Sequence, residues 1–135
     1  MKIQLDPGAI MPTRGHATDA GLDLYAMETG YVYAGGQAIF DTGVHVQIPP
    51  GYVGLITSKS GLMGKGITSR GTIDSGYTGS IKAVLYNHSR ESYLVHKGDK
   101  ITQLVLLPII TPELELVEAL EETSRADGGF GSTGR

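Results

Sequence analysis

Short apolar runs separated by glycine, proline, aspartate and serine make up most of the hydrophobic pattern of the chain. They recur roughly every eight to twelve residues, a spacing typical of an all-β sandwich or barrel. We therefore predict strands at residues 21–26, 31–33, 37–41, 44–48, 52–57, 80–86, 92–95, 100–107 and 113–117.

Alternation of polar and apolar residues supports several of these strands. Residues 44–48 read Val-His-Val-Gln-Ile, as expected of a strand with one buried face. Residues 104–107 are apolar on both faces, which predicts a strand in the interior of the sheet. Helix is predicted only as a single turn within residues 60–65. The acidic residues 113–122 fit a fraying strand as well as a helix.

Composition restricts the class of protein. A chain of 135 residues, 40% of them hydrophobic, is long enough for one domain with its own core. The absence of cysteine excludes disulfides and thiolate zinc sites. A net charge of −3 argues against broad binding to nucleic acid or to an anionic membrane. No apolar run approaches the ~20 residues of a membrane span, and the first residues lack a leader pattern, so we expect a cytoplasmic protein.

The composition changes after Glu122, where we expect the barrel (residues 1–122) to give way to a flexible Gly-rich arm (residues 123–135). A linker is the ordinary explanation of such a tail. However, successive glycine N–H groups can form an anion-binding nest, and hydroxyl and guanidinium groups bind phosphate. The groups that could do so here are Ser132, Thr133, Arg125 and Arg135. Phe130 could stack on a flat base, so the arm favours a nucleotide ligand.

Two loops carry further polar groups. In residues 57–61, hydroxyls and the Lys59 ammonium converge as phosphate oxygens require, although an ordinary polar loop with a capping serine looks the same. In residues 71–79, Asp74 lies between glycines. Asp74 is either a turn former or a general base that takes a proton from water attacking a phosphoanhydride.

Asp23 is a carboxylate within an otherwise apolar strand. Aspartate is depleted in strands and costly to bury unpaired, so Asp23 requires a partner or a metal. A magnesium ion on a polyphosphate keeps several waters and can be held through them by one carboxylate. The four histidines show no spacing typical of metal ligands and are interpreted as structural or surface residues.

Taken together and in order, these segments resemble the five motifs of the trimeric dUTP pyrophosphatases (dUTPases). The matching segments are residues 20–26 (AGLDLYA), 58–62 (SKSGL), 71–77 with Gly79 (GTIDSGY), 98–104 (GDKITQL) and 128–134 (GGFGSTG). Each motif alone is weak, but five in order over almost the whole chain form a specific match.

The resemblance implies hydrolysis of dUTP to dUMP and pyrophosphate, which limits uracil incorporation into DNA and supplies dUMP for thymidylate synthesis. It implies a distorted β-barrel of the jelly-roll, β-clip type. It also implies a homotrimer, in which each site lies between two subunits and is covered by the arm of the third. Asp74 then resembles the base that activates water for in-line attack on the α-phosphorus. Asp23 resembles the anchor that holds Mg²⁺ through water.

The resemblance also implies the residues that bind the substrate. Those expected at the phosphates are Lys59, Ser60, Gly61 and Gln103. Those expected around uracil and deoxyribose are Gly71, Thr72, Ile73, Tyr77 and Lys82, the first three through their backbone. Those expected from the closing arm are Arg125, Phe130, Gly131, Ser132 and Thr133, with Phe130 over the uracil.

The chain departs from the family pattern at several positions. Lys59 stands where many members have arginine. A guanidinium that can bond a phosphate at two points is thus replaced by a single ammonium charge. Ser58 replaces a common proline, and Ala126 replaces a common glycine. Residues 66–71 form a shorter segment without the asparagine that can bind uracil through its side chain, which leaves base recognition to the backbone.

Two other functions are compatible with parts of the pattern. A related deaminase of dCTP shares the fold and part of the second and third motifs, but the complete fifth motif favours dUTP hydrolysis. A regulatory protein whose arm or surface engages a protein partner is the third hypothesis. Such relatives often carry an insertion that this compact chain lacks, so a regulatory partner has no support in the sequence.

Overall fold

The computed structural model describes residues 1–134, so Arg135, a phosphate-binding cation in the prediction above, lies outside the described residues. The elements in chain order are β1 (Lys2–Leu5), β2 (Gly21–Tyr25), β3 (Gly30–Val32), β4 (Gln37–Asp41), β5 (Val44–Gln47), β6 (Tyr52–Thr57), α1 (Ser60–Met63), β7 (Ile67–Ile73), β8 (Lys82–Asn87), β9 (Tyr93–Val95) and β10 (Lys100–Pro108). The all-β prediction is confirmed. None of the helices within residues 1–134 has the length and apolar character needed to cross a membrane.

The main sheet has six strands in the order β2-β10-β6-β7-β8-β4, and every pair in it is antiparallel. Two-stranded ribbons, β1–β5 and β3–β9, complete the body. The sheet curls into a half-barrel, which confirms the predicted jelly-roll fold. Strand β10 lies between β2 and β6, as its two apolar faces predict.

The core follows from the alternation of residues along the strands. In β5, Val44 and Val46 are buried and Gln47 is exposed, which confirms the predicted pattern. One apolar cluster includes these valines and extends across the main sheet to Ile56 and Leu104. A second cluster lies under β3, β4, β8 and β9, and its buried members are Ala26, Val32, Phe40, Ile67, Ala83, Leu85, Val95 and Ile101.

Two strands were not predicted. Strand β1 pairs with β5 and packs Ile3 and Leu5 on the core, but these side chains are only partly buried. Strand β7 continues to Ile73, through residues expected to form a turn. Its middle is polar or glycine, so its short apolar signal rests on the two end residues. Hydrogen bonding to β6 therefore stabilises β7 as a strand, which its polar composition does not predict.

The predicted strand at residues 113–117 is wrong. The chain has alternating leucines there, but it has no neighbouring strand within the described residues, and Leu114 and Leu116 are 98% and 99% exposed. Alternation alone does not make a strand, because the backbone groups of a strand need a partner. The single helical turn expected within residues 60–65 is confirmed as α1.

Candidate functional site

A buried carboxylate joins the first, second and fourth motifs. Asp23 in β2 lies directly opposite Gln103 in β10, which in turn lies opposite Thr57 at the end of β6. Asp23 is 5% exposed. The Lys59 ammonium donates to its Oδ1, and the Lys100 Nζ lies 3.0 Å from its Oδ2. The need for a partner, inferred from an acid in an apolar strand, is thus met by two lysines.

The two lysines set the charge of this group. Burial raises the pKa of Asp23, but the hydrogen bonds and charges of Lys59 and Lys100 outweigh it, so the net pKa is lowered. The hydrogen bond to Asp23 and its negative charge also raise the pKa of Lys100. Asp23 is therefore an ionised carboxylate at neutral pH.

Lys100 was not among the predicted site residues, and a β-bulge explains its position. The register between β10 and β2 shifts between Lys100 and Thr102, so that Lys100 lies opposite Tyr25 while Ile101 is the extra residue. An extra residue turns the following side chains to the other face of a strand. Lys100 therefore shares a face with Asp23 and lies 5.9 Å from the centre of the Tyr25 ring. The position of Lys100 in the fourth motif was the only sequence feature that indicated a role at the site. The bulge that directs its side chain toward Asp23 could not be predicted from the sequence.

These groups line a cleft of about 510 Å³, hereafter called the phosphate cleft after the ligand expected from the sequence. Its lining residues are Gly15, His16, Asp19, Ala20, Gly21, Asp23, Lys59, Lys100, Gln103 and Val105. The Gln103 amide donates to the Ser58 carbonyl at 3.1 Å. A Cβ at Gly21 would lie only 2.1 Å from Gln103 Oε1, so a glycine is required for this glutamine to lie across the cleft.

The third motif forms a second cleft, hereafter the base pocket. Strands β7 and β8 pair from Ile67 to Ser69, where the ladder ends opposite Leu85. Continuing that register would bring Thr72 opposite Lys82, but the strands have separated there, and a pocket of about 210 Å³ lies between them. It is lined by Thr72, Ile73, Asp74, Tyr77 and Lys82. Gly71 to Ile73 thus have β6 on one side and open space on the other, so their backbone groups are available to a ligand.

A tight turn closes the base pocket. The Tyr77 amide donates to the Asp74 carbonyl at 3.0 Å, and the Tyr77 hydroxyl donates to the Ser80 carbonyl at 2.9 Å. The ring then folds over Gly79, where a Cβ would lie 2.5 Å from the Tyr77 hydroxyl oxygen. Asp74 itself is exposed and directed to solvent at the pocket, where a water molecule can reach it.

The loop that carries Tyr77 is held to the body by His45. One ring nitrogen of His45 lies 2.7 Å from the Thr78 carbonyl, and the other lies 3.2 Å from Asp6 Oδ1. Both partners are hydrogen-bond acceptors, which favours the doubly protonated ring. The bond to Thr78 and then the bond to Asp6 raise the pKa of His45. His45 is structural, as the sequence predicted, but its position ties the N-terminal strand to the base pocket.

The two clefts are far apart within one chain. Asp23, Gln103, Thr57 and Arg70 form one row across four strands. Asp74 lies four residues beyond Arg70 along the chain, so the two aspartates are separated by roughly 20 Å along the sheet at about 4.8 Å per strand and about 3.3 Å per residue. Carboxylates that act on one phosphate chain through single waters lie closer, since each hydrogen bond spans about 3 Å.

The arm lies apart from both clefts. The Arg125 guanidinium donates to the Gly128 carbonyl at 2.8 Å, and Ser132 N donates to the Gly129 carbonyl at 3.0 Å. Phe130 is fully exposed. None of the five arm residues predicted to bind substrate lines either cleft in the described chain. Ala126 has φ +40°, the left-handed region in which a glycine is free of strain.

Residues 1–134 contain no cluster of three histidine, cysteine or acidic side chains that could hold a metal by themselves. The carboxylates that line the phosphate cleft are Asp19 and Asp23, and Asp23 lies beside two lysines, so this donor set suits a different arrangement. Magnesium is commonly bound by one or two carboxylates together with substrate phosphates and waters. Each Asp23 oxygen contacts one lysine and keeps a second lone pair that can accept from a metal-bound water, so Asp23 fits that arrangement through water.

Comparison with known proteins identifies the family. The dUTPase family model matches residues 8–134. The chain is 45% identical over 139 residues to the deoxyuridine 5'-triphosphate nucleotidohydrolase of Kluyveromyces lactis, covering 100% of this chain and 94% of that protein. It is similar to the Staphylococcus bacteriophage 80alpha dUTPase bound to dUpNHpp, with a TM-score of 0.92, 36% identity and coverage of 99% and 98% of the two chains. A mutant dUTPase of S. aureus phage phi11, described as coordinating a structural Mg(II) ion, has a TM-score of 0.82, 35% identity and coverage of 90% and 98%. The chain therefore belongs to the dUTPase family, as its five motifs predict.

Proposed function

We propose that this protein hydrolyses dUTP to dUMP and pyrophosphate at sites shared between the subunits of a homotrimer. The observation that carries the proposal is the pair of clefts, one cationic and built by the first, second and fourth motifs, the other a base pocket with Asp74 at its edge. Their chemistry matches the two ends of a nucleoside triphosphate.

In the proposed reaction, Asp74 accepts a proton from a water molecule whose oxygen attacks the α-phosphorus in line. The new O–P bond forms as the bond from that phosphorus to the bridging oxygen of the β-phosphate breaks, and pyrophosphate leaves. Lys59, Ser60 and Gly61 bind the phosphates, and Gln103 lies beside them. The exposure of Asp74 supports its role as the general base, because the attacking water needs access to the carboxylate. Positioning and charge stabilisation supply most of the rate in phosphoryl transfer.

Uracil is proposed to bind along the free side of β7. The backbone groups of Gly71, Thr72 and Ile73 offer a donor and acceptor pattern without any side chain, consistent with the short hairpin of this chain. Tyr77 packs under the deoxyribose, where its ring, fixed by the bond to Ser80, leaves no room for a 2′-hydroxyl. Lys82 lies at the pocket edge.

The trimer accounts for two features that a lone chain leaves without a role. The distance between the phosphate cleft and the base pocket is bridged if a second copy supplies the missing half of each site. The segment after β10 exposes Ile110, Leu114, Leu116 and Leu120 by 86% or more. Burying one such side chain contributes about 1.5–3 kcal/mol, and exposed apolar rows of this kind mark protein interfaces. Closed cyclic symmetry suits such head-to-tail contacts.

The arm and the metal complete the proposed site. Arg125, Gly131, Ser132 and Thr133 bind the terminal phosphates of a neighbouring site, and Phe130 covers the uracil. Closure of this kind excludes water and completes the phosphate shell. Asp23 would hold Mg²⁺ through water, and the ion would supply charge neutralisation on the phosphates.

Product analysis tests the proposal. The protein is incubated with Mg²⁺ and dUTP, dCTP, dTTP or UTP at equal concentration. We expect dUMP and pyrophosphate from dUTP alone. Asp74→Asn should abolish turnover and leave binding of dUpNHpp largely intact, whereas Glu91→Gln removes one charge from a residue that lines neither cleft and should keep full activity. Ammonia released from dCTP would support a deaminase instead, and near-normal turnover by Asp74→Asn would remove Asp74 from the role of base.

A further inference from the structure

A serine side chain takes the place of the backbone where β6 ends. The ladder between β6 and β7 ends with Thr57 opposite Arg70. One residue further, Ser58 Oγ accepts from the Ser69 amide at 2.9 Å and donates to the Ser69 carbonyl at 3.0 Å. A single hydroxyl therefore satisfies both backbone groups of Ser69, as a paired strand residue would. The Ser58 backbone is free to turn away into the loop that carries Lys59.

The partner of Ser58 is itself fixed in the core. Ser69 is 4% exposed, and its hydroxyl lies 2.6 Å from that of Thr102, which is fully buried. Thr102 donates to the Thr57 carbonyl at 3.0 Å, so its one proton is used and Ser69 donates to it. The chain of hydroxyls thus connects β6, β7 and β10, and every hydroxyl proton in it has an acceptor.

The same residue also fixes the glutamine of the phosphate cleft. The Ser58 carbonyl accepts from the Gln103 amide at 3.1 Å. Lys59 follows immediately and bonds to Asp23, and Ser60 begins α1. Two groups that are proposed to contact phosphate, Gln103 on β10 and Lys59 in the loop after β6, are therefore both held by a residue that does not itself line the cleft. The lining residues of the phosphate cleft do not include Ser58.

We propose that Ser58 is a positioning residue, whose hydroxyl holds the loop of Lys59, Ser60 and Gly61 over the phosphate cleft by bonding to the backbone of Ser69. This inference rests on the proposed function for its kinetic consequence, but the hydroxyl contact itself does not. Without the hydroxyl, the Ser69 backbone groups lose their partner and the loop is released at its first residue. Small displacements of positioned groups cost up to about 100-fold in rate.

The test compares Ser58→Ala, Ser58→Thr and Ser89→Ala. Ser89 is a matched control, because its hydroxyl also makes one donated and one accepted bond, to Asn87 Oδ1 at 2.7 Å and from the Glu91 amide at 3.3 Å, and it lines neither cleft. We expect Ser58→Ala to lower kcat/KM for dUTP about 10- to 100-fold, mainly through kcat. Ser58→Thr keeps the hydroxyl, so its kcat/KM should stay within about threefold of that of the unsubstituted protein. Ser89→Ala should keep kcat/KM within about twofold, although its melting temperature changes by a comparable amount.

Hydrogen exchange of the uncomplexed protein provides a readout without turnover. Ser58→Ala should speed exchange in residues 58–64 and at the Ser69 amide, whereas Ser89→Ala should not. If the unsubstituted protein fails to hydrolyse dUTP, the proposed function fails and the exchange result still decides the role of Ser58. The positioning role is overturned if Ser58→Ala keeps kcat/KM within about threefold or leaves exchange in residues 58–64 unchanged.

Discussion

Substitution of Gly21 by alanine should act on the phosphate cleft through Gln103. A Cβ at position 21 would lie 2.1 Å from Gln103 Oε1 and 2.8 Å from its Cδ. The amide is the far end of a flexible side chain, so it will swing away and lose its hydrogen bond to the Ser58 carbonyl. The strand itself tolerates the change, because alanine is favoured over glycine in a strand by roughly 0.5–1 kcal/mol.

The magnitude follows from the bond that is lost. A hydrogen bond of this kind contributes about 0.5–1.5 kcal/mol, and leaving the carbonyl without a partner raises the cost to about 1–2 kcal/mol. We therefore expect Gly21→Ala to lower kcat/KM for dUTP roughly 5- to 30-fold, at about 1.4 kcal/mol per factor of ten. The lost bond also lowers folding stability, but the gain of alanine over glycine in the strand offsets much of this, so the melting temperature should fall only slightly. Gln103→Ala should lower kcat/KM by at least as much.

A double-mutant cycle decides whether the effect passes through Gln103. In the Gln103→Ala background the clashes with Oε1 and Cδ are absent and only the 3.2 Å approach to the Cβ remains, so adding Gly21→Ala should cost little, and the coupling energy should equal most of the single effect. Additive losses, within about 0.5 kcal/mol, would refute the reasoning. A large fall in melting temperature for Gly21→Ala would refute it as well, because the change would then act on the fold.

Three further predictions concern the base pocket and the arm. Gly79→Ala should raise KM for dUTP several-fold with a smaller effect on kcat, because the new Cβ displaces the ring of Tyr77; unchanged KM in steady-state assays would contradict this. The pKa of His45 is raised from 6.5 by its bonds to Thr78 and Asp6, so its stabilisation is present below about pH 6.5 and is lost as pH rises through the folded-state pKa. The melting temperature should therefore fall as pH rises over that range in the unsubstituted protein, and fall less in His45→Gln. Parallel pH profiles of the two proteins would exclude His45 as the source of the pH dependence. Deleting the residues after Ser124 should leave a folded trimer by light scattering with poor turnover, and an unimpaired rate would show that the arm is no lid.

Strands with one clearly apolar face could be predicted from the sequence, and those with a polar centre could not. Strands β4 and β6 begin and end at the predicted residues. Strand β7 was missed because Arg70, Gly71 and Thr72 carry no apolar signal, and it depends on pairing with β6. Residues 113–117 show the converse, since their alternation is clear but no strand in the described chain lies beside them.

Part of the phosphate cleft could be predicted from the sequence, but the arrangement of the candidate site could not. Asp23 required a partner because it lies in an apolar strand, and the motifs supplied Lys59. The second partner, Lys100, depends on a bulge between β10 and β2, which is a property of strand register. The separation of the phosphate cleft from the base pocket is also a consequence of register, because the first, third and fourth motifs lie on β2, β7 and β10 and the second follows β6.

The central claim is that one active site takes its phosphate cleft and its base pocket from different copies of the chain. The variants Lys59→Met and Asp74→Asn each disable one half of the active site, the phosphate cleft and the base pocket respectively. Each variant should be inactive alone. When they are co-expressed in equal amounts and assembled into mixed trimers, about a quarter of the sites combine an intact Lys59 from one chain with an intact Asp74 from another. We predict that dUTP hydrolysis returns to about a quarter of that of the unsubstituted protein. Mixed trimers that stay as inactive as either variant would contradict the claim.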